Sequence, residues 1–183
     1  MVPGIRGGTA GALALLGVLL LVLLLGGEQP DEPGSAAPER PGNGAGAAAR
    51  APATVPVLRV VDGDTIEVGI DGDPEDVRYI GVDTPETVKP GEPVQCFGPQ
   101  ASAFNHHLVE GETVRLVFDR ELRDVYGRLL AYVYVGDRFV NAALVRGGYA
   151  RTLEIPPNTA RAEQLGTLEQ RAGERGAGLW GAC

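Results

Sequence analysis

Apolar and polar residues alternate along several short stretches of the middle of the chain, a pattern typical of half-buried strands. The stretches VLRVV (57–61) and TIEV (65–68) flank the turn DGD, and a third stretch (77–82) follows the polar loop DGDPED. The stretches TVRLVFD (113–119) and RLLAYVYV (128–135) alternate in the same way on either side of a charged turn. These patterns predict five short strands.

Helical spacing of apolar residues replaces this alternation elsewhere. A first helix is predicted to begin at Pro99, because proline suits the first position of a helix. Residues 137–148 predict a short strand followed by a second helix, and Asn158 is predicted to cap a third helix that ends near Arg175. The predicted fold class is therefore α+β, and its five short strands are compatible with a small closed barrel.

The amino-terminal part of the chain lacks both patterns. Within residues 1–27, the run from 10 to 27 is uncharged and nearly all aliphatic, so it is long enough for either a signal peptide or a membrane anchor. Arg6 precedes this run and acidic residues follow it, which places the rest of the chain outside the cytoplasm, secreted or membrane-anchored. Residues 28–54 are rich in Pro, Gly and Ala and predict a disordered linker, which leaves 55–183 as the folded domain.

Charge and cysteine content narrow the function. The formal net charge is -8, which argues against a broad basic surface that binds nucleic acid, so a polyanionic ligand would need a bound cation or a few focused arginines. The chain has two cysteines, Cys96 and Cys183. In an exported domain such a pair is expected to form a disulfide, with two free thiols as the alternative. The two cysteines and two adjacent histidines do not have the usual spacing of a zinc site.

Three motifs occur in a characteristic order: VDGDT (61–65), VRYIGVDTPET (77–87) and YGRLLAY (126–132). Together they resemble the staphylococcal nuclease, or thermonuclease, family, and the similarity extends over nearly all of residues 56–180. The resemblance implies a five-stranded OB-fold β-barrel with three helices, a bound Ca²⁺ and hydrolysis of phosphodiester bonds in DNA and RNA.

The resemblance also implies a calcium site and a general base. Asp64 and Asp83 fall on the family's calcium carboxylates, Thr84 on the residue whose main-chain carbonyl binds the ion, and Glu86 on the presumed general base. Hydrolysis of an anionic diester calls for such groups, because oxygen ligands hold a hard cation and a carboxylate can accept a proton from water.

Three further residues are implied to contact the substrate. Arg78 and Arg128 fall on the family's phosphate-binding arginines, which suits the planar guanidinium group. Tyr126 falls on a substrate-binding tyrosine, but Val125 replaces the family's neighbouring lysine. The family's tyrosine-rich loop before the last helix is TLEIPPNT here and contains no aromatic residue, so base stacking on that loop is not expected.

Each of these residues taken singly has an ordinary structural explanation. Asp64 could belong to a hairpin turn, Arg78 to a solvated strand face, and Arg128 could pair with Asp124. The alternative function is a non-catalytic OB-fold module that binds nucleic acid, yet such family members lose the acidic and arginine positions that this chain keeps. A membrane-tethered scaffold has only the amino-terminal segments in its favour. Nothing in the sequence calls for more than a monomer.

Overall fold

The structure is a computed structural model that describes residues 51–87, 91 and 93–183. The predicted signal or anchor segment (1–27) and most of the predicted linker (28–54) lie outside these residues. Within the described part of the chain, no helix has the length and apolar character needed to cross a bilayer.

Eight strands and four helices follow one another along the described residues. In chain order they are β1 (Ala53–Val60), β2 (Thr65–Ile70), β3 (Asp73–Tyr79), β4 (Gly81–Asp83), α1 (Gly98–Val109), β5 (Thr113–Val117), β6 (Leu129–Val135), β7 (Arg138–Phe139), α2 (Val140–Arg146), β8 (Arg151–Leu153), α3 (Ala162–Glu174) and α4 (Leu179–Ala182). β1 begins two residues before the predicted start of the domain, and Ala53 and Thr54 pair with β5.

Five of the strands close into a barrel, which confirms the predicted fold class. β1 pairs antiparallel with β2 and β5, β2 pairs with β3, and β5 pairs with β6. A parallel pairing of β3 with β6, in which Arg78 lies opposite Leu130, closes the ring. β7 extends the sheet beyond β6, and β4 and β8 form a separate two-stranded sheet.

Alternation of side chains along the strands fills the barrel. Ile66 and Val68 on β2, Val77 on β3, Leu116 on β5 and Val133 on β6 are completely buried. Burial of an aliphatic side chain of this size contributes about 1.5–3 kcal/mol relative to exposure. The period-two pattern that predicted the strands is therefore the pattern of residues that point into the core.

The stretch predicted as one strand (77–82) is divided between two strands. β3 ends at Tyr79, and Gly81 has a φ of 78°, a left-handed conformation that glycine adopts readily. The chain turns there into β4, which pairs with β8. As a result Arg78 lies near the end of its strand, where the motif had predicted it near the start.

The predicted cap of the last helix is wrong. α3 begins at Ala162, and the Asn158 side chain instead accepts a hydrogen bond from Glu121 N–H (2.7 Å) and donates one to Glu121 O (2.8 Å). The amide of Asn158 thus satisfies backbone groups of a distant turn. The structure also adds α4, a fourth, very short helix, to the three helices that were predicted.

Cys96 and Cys183 form a disulfide across 87 residues of sequence. The bond joins the segment immediately before α1 to the carboxyl-terminal residue, which follows α4. The predicted disulfide is therefore present, and neither Cys96 nor Cys183 is a free thiol.

Candidate active site

The turn between β1 and β2 holds Asp64 in a fixed position. The Asp62 carboxylate accepts a hydrogen bond from Asp64 N–H (3.0 Å), and Asp64 O accepts one from Tyr79 N–H (2.9 Å). Gly63 allows the turn to approach Thr84, because a Cβ atom at residue 63 would lie 2.6 Å from Thr84 Oγ1. Asp64 is consequently buried, with 4% of its surface exposed, at the point where the turn meets the end of β4.

Both carboxylate oxygens of Asp64 have partners. Oδ2 accepts hydrogen bonds from the backbone N–H (2.7 Å) and the hydroxyl (2.8 Å) of Thr84. Oδ1 lies 3.1 Å from Arg78 Nη1 and accepts a hydrogen bond from the Thr65 hydroxyl (3.3 Å). A carboxylate has about four lone-pair positions, and the contacts are spread over both oxygens. The network fixes the orientation of the carboxylate.

Arg78 links the two carboxylates that the sequence predicts as metal ligands. Its Nη1 atom contacts Asp64, and its Nη2 atom lies 3.0 Å from Asp83 Oδ1. Nη1 also donates hydrogen bonds to Val82 O (2.8 Å) and Tyr79 O (3.2 Å). Only 14% of the Arg78 side chain is exposed, so its charge is largely removed from water and is offset by carboxylates and carbonyl dipoles.

Arg128 is oriented by Asp124. Arg128 Nε donates a hydrogen bond to Asp124 Oδ2 (2.7 Å), while Oδ1 of the same carboxylate accepts hydrogen bonds from the backbone N–H of Tyr126 (2.9 Å) and Arg128 (3.0 Å). The Arg128–Asp124 ion pair considered as an alternative is therefore present. It does not remove Arg128 from the site, because it aligns the guanidinium at the edge of the same cleft as Arg78.

Glu86 is half-buried in the segment that follows β4. Its Oε1 atom accepts a hydrogen bond from Thr87 N–H (2.8 Å). Its backbone makes two hydrogen bonds with Gln95: Gln95 N–H donates to Glu86 O (2.9 Å), and Glu86 N–H donates to Gln95 Oε1 (3.1 Å). Gln95 was not among the predicted site residues, because the residues between it and Glu86 have no periodic pattern.

One polar cleft of about 200 Å³ brings most of the predicted residues together. Its walls are formed by Asp62, Asp64, Arg78, Asp83, Thr84, Pro85, Glu86 and Arg128. The predicted metal ligands, base and phosphate-binding arginines are thus neighbours although they come from three separate parts of the sequence. Asp62 is an addition, since its side chain was not among the predicted site residues.

Tyr126 does not line the polar cleft. It lies in an adjacent, mainly apolar cleft of about 300 Å³, to which Arg78 and Arg128 also contribute. Tyr126 is 82% exposed, and the exposed side chains of Leu153 and Ile155 stand on the same cleft. The stretch that lacks the family's tyrosines thus contributes aliphatic rather than aromatic surface.

Carboxylates are crowded in the polar cleft. Burial and the neighbouring charge of Asp64 raise the pKa of Asp62 to about 6, although the charge of Arg78 acts in the opposite direction. Part of this shift is repulsion between the two carboxylates, which adds to the larger effect of burial. A cation in the cleft would relieve this repulsion.

The available donors suit a hard cation. The carboxylates of Asp64 and Asp83 and the carbonyl of Thr84 are oxygen ligands, the type that Ca²⁺ prefers. Among residues 51–87, 91 and 93–183, no group of three or more His, Cys, Asp or Glu side chains is arranged to hold a metal. A Ca²⁺ ion takes about six to eight ligands, so the remaining positions would have to be filled by water and a bound phosphate.

Comparison with known proteins identifies a common family. The family described as "Staphylococcal nuclease homologue" matches residues 76–182 of the chain. The match includes Arg78, Asp83, Glu86 and Arg128, and it begins after the turn that carries Asp64.

Individual relatives are similar over a comparable length. The chain is 46% identical to a thermonuclease of Staphylococcus intermedius over 124 residues, which cover 68% of this chain and 74% of that protein. It is 42% identical to a thermonuclease of Staphylococcus hyicus over 127 residues, 69% of this chain and 75% of the relative. It is 44% identical to endonuclease YncB of Bacillus subtilis (strain 168) over 124 residues, 67% of this chain and 59% of the relative.

Proposed function

The chain belongs to the staphylococcal nuclease family, and on this basis we propose that it is a calcium-dependent nuclease acting outside the cytoplasm. It hydrolyses phosphodiester bonds in DNA and RNA with little sequence preference and leaves 3′-phosphate and 5′-hydroxyl ends. The names of its relatives, thermonuclease and endonuclease, support a nuclease.

The observation that carries the proposal is the polar cleft. Two arginines and four carboxylates line its walls together with Thr84. A structural ion-pair network would not need a glutamate and a second arginine at the same opening. A site that hydrolyses a phosphodiester needs a held cation, a base and donors for the phosphate, and all three are available here.

Asp64, Asp83 and the Thr84 carbonyl would hold Ca²⁺. When bound, the ion supplies positive charge that offsets the charge of the diester and makes the phosphorus easier to attack. Thr84 N–H and hydroxyl fix Asp64, and Arg78 fixes both carboxylates, so the ligands do not have to be reorganised for each turnover.

Glu86 acts as the general base. A water molecule that hydrogen-bonds to its carboxylate loses a proton to Glu86 as its oxygen attacks phosphorus. The bond from phosphorus to the 5′ oxygen then breaks, that oxygen takes a proton from solvent water to leave as a hydroxyl group, and Glu86 returns its proton to solvent. Because Glu86 is only half-buried, its carboxylate is accessible to both water and substrate.

Arg78 and Arg128 stabilise the transition state. Attack on phosphorus adds negative charge to the phosphate oxygens, and guanidinium groups already aimed at them lower the barrier without reorganisation. Asp124 holds Arg128 in its orientation through Nε. Arg78 lies in β3 and Arg128 immediately precedes β6, and the parallel pairing of these two strands explains how both side chains reach one cleft.

The apolar cleft provides a place for a nucleotide base. Tyr126 offers an aromatic face at its rim, while Leu153 and Ile155 offer aliphatic surface. Such walls contact any base without reading its hydrogen-bonding edge, which accounts for low sequence preference. Tyr126 is accordingly proposed as a substrate-binding residue.

Action outside the cytoplasm is supported by the disulfide and by the amino-terminal sequence. Structural disulfides persist in oxidising compartments, and Cys96 is bonded to Cys183. The uncharged run from 10 to 27 fits either a signal peptide or an anchor, and residues 28–54 then separate it from the nuclease domain (55–183). Fractionation of the producing cells should find the domain outside the cytoplasmic membrane, and a cytoplasmic location would contradict the proposed export.

The purified full chain incubated with plasmid DNA or with RNA tests the function. Digestion is expected with Ca²⁺ and not with a calcium chelator, and the products should carry 3′-phosphate ends. Digestion that continues in chelator would contradict the proposed mechanism. Binding of the nucleic acid without digestion in either condition would favour the non-catalytic OB-fold module.

A further inference from the structure

Gln95 is hydrogen-bonded to the backbone of Glu86. The backbone of Glu86 both donates to and accepts from Gln95, with distances of 3.1 Å to the side-chain oxygen and 2.9 Å from the backbone nitrogen. Two hydrogen bonds between the same two residues fix the height and the direction of the Glu86 backbone. The carboxylate is tied to the same stretch of backbone, because Glu86 Oε1 accepts a hydrogen bond from Thr87 N–H (2.8 Å).

The first residue of α1, Gly98, packs closely against the same stretch of backbone. A Cβ atom at Gly98 would lie 2.9 Å from Glu86 O and 3.0 Å from Pro85 O, so only glycine permits the observed approach. Gly98 N–H also donates to Gln95 O (3.0 Å). The Glu86 backbone is therefore in contact with both Gln95 and the first residue of α1.

Gln95 itself has little packing to hold it. Residues 93–96 are exposed, and hydrogen bonds open to water contribute little by themselves, because water competes for the same groups. The residue next to Gln95 is Cys96, whose sulfur is bonded to Cys183. A covalent bond supplies the restraint that packing does not.

The other end of the disulfide is well anchored. Leu179 in α4 is 2% exposed, and its backbone N–H donates to Gly148 O (2.9 Å). Cys183 N–H donates to Leu179 O (3.1 Å), so the terminal residue continues the short helix. The disulfide thus connects the segment that carries Gln95 to the hydrophobic core.

We propose that Gln95 is a positioning residue for Glu86 and that the Cys96–Cys183 disulfide, through Gln95, holds the catalytic carboxylate in place. The inference rests on the proposed role of Glu86 as the base. It adds that an intact Cys96–Cys183 disulfide is required for full turnover, so the enzyme is most active in compartments where this bond is stable. Arg78 and Arg128 lie on or beside barrel strands and do not depend on this connection.

Substitution of Gln95 tests the hydrogen-bonded contact while the disulfide stays intact. In the oxidised full chain, Gln95→Ala should lower kcat by about tenfold, because a displacement of a catalytic group by a fraction of an ångström slows the chemistry. KM should change by less than about twofold, since the phosphate-binding arginines are not displaced. Gln95→Glu keeps an acceptor oxygen and should restore most of the lost kcat.

Removal of the disulfide tests the covalent connection. The double variant Cys96→Ser/Cys183→Ser should show a similar loss of kcat with little change in KM, measured at a temperature where circular dichroism shows it folded. The decisive comparison places each change in a Glu86→Gln background. If Gln95 and the disulfide act through Glu86, their substitution in this background should cause no further loss of kcat.

The outcomes separate this inference from the proposed function. If Glu86→Gln is slow but Gln95→Ala and the double serine variant keep wild-type kcat, the positioning role is wrong and the base is not. If these variants lower kcat by the same factor in the Glu86→Gln background, they act on the fold in general, and the inference is again wrong. A Glu86→Gln variant with wild-type kcat would overturn the proposed base and this inference with it.

Discussion

Arg78 and Asp124 show how single side chains prepare the site. Arg78 contacts both proposed calcium carboxylates, at 3.1 Å from Asp64 and 3.0 Å from Asp83, and Asp124 fixes Arg128 at 2.7 Å. A guanidinium carries five N–H donors, so it can hold a carboxylate and still donate to a phosphate. Charged groups that are fixed before substrate arrives cost no reorganisation during the reaction.

Motifs in the sequence predicted most of the residues that meet in the cleft but not the groups that support them. DGDT, DTPET and YGR pointed to Asp64, Asp83, Glu86 and Arg128 because, taken together, these motifs resemble those of the staphylococcal nuclease family. Gln95 was missed because its contact with Glu86 crosses a segment with no regular pattern. Contacts of this kind depend on the folded chain and leave no local signal.

The role of Glu86 gives a prediction at the scale of one residue. Glu86→Gln should lower kcat by about 10²-fold or more, because the amide cannot accept the proton of the attacking water. The thermal unfolding midpoint should stay at the wild-type value, since the substitution preserves size. Steady-state kinetics with plasmid DNA and Ca²⁺ measure the first effect.

Glu163→Gln is the matched control for this variant. Glu163 is exposed in the first turn of α3 and does not line the polar cleft. Its substitution should leave kcat unchanged. Equal kcat values for wild type, Glu86→Gln and Glu163→Gln would mean that another group accepts the proton.

A buried hydrogen-bonded network connects the elements that carry the site. The Tyr79 hydroxyl on β3 donates to Asn105 Oδ1 on α1 (3.0 Å), and Asn105 Nδ2 donates to Asp62 O in the turn between β1 and β2 (2.9 Å). Tyr79 is 1% exposed and Asn105 is fully buried. Burial raises the pKa of the Tyr79 hydroxyl, so it remains a protonated donor over the whole physiological range.

The loss of the Tyr79 hydroxyl should therefore reduce stability. Tyr79→Phe leaves Asn105 Oδ1 buried without this donor, and the free energy of unfolding should fall by about 1–3 kcal/mol. Urea unfolding followed by circular dichroism measures the change. Tyr126→Phe, at a position that is 82% exposed, should change it by less than about 0.5 kcal/mol. Equal effects of the two substitutions would show that the buried network does not stabilise the fold.

The long alternating strands could be predicted from the sequence, whereas the three-residue strands β4 and β8 could not. In the barrel strands the alternating apolar residues, such as Val114 and Leu116 of β5, are buried, which leaves a pattern in the sequence. β4 and β8 contain only three residues each, too few to show a period, whereas the short strand predicted within 137–148 is present as β7. The division of the stretch 77–82 depends on the conformation of Gly81, and it moved Asp83 onto a strand that pairs with β8.

At the scale of the whole molecule, binding of a polyanion depends on the charges that line the cleft and not on the net charge of the chain. The formal net charge is -8, yet Arg78 and Arg128 face the same cleft. The cleft also holds four carboxylates, so a cation bound by Asp64 and Asp83 would supply the positive charge that the two arginines alone do not. Binding of nucleic acid is therefore expected to depend on Ca²⁺ more than on a basic surface.

The disulfide should contribute to global stability as well as to turnover. It closes a segment of 87 residues, and under the chain-entropy model such a link stabilises the folded state by about 4 kcal/mol. Cys96→Ser/Cys183→Ser should accordingly lower the free energy of unfolding by about 2–4 kcal/mol. Urea unfolding of this variant and of the reduced wild type should give the same midpoint. A midpoint equal to that of the oxidised wild type would contradict the prediction.

Calcium binding by the cleft is the central claim, and calorimetric titration of Ca²⁺ into the full chain tests it most directly. The wild type should bind a single ion, and Asp64→Asn and Asp83→Asn should each weaken binding by at least about tenfold, because each removes a charged oxygen ligand. Asp71→Asn is the matched control, since Asp71 lies in the turn before β3 with a φ of 54°, a conformation that asparagine tolerates. Wild-type affinity in this control and weak binding in the other two variants would support the claim. Equal affinity in all four proteins, or no binding by the wild type, would contradict it.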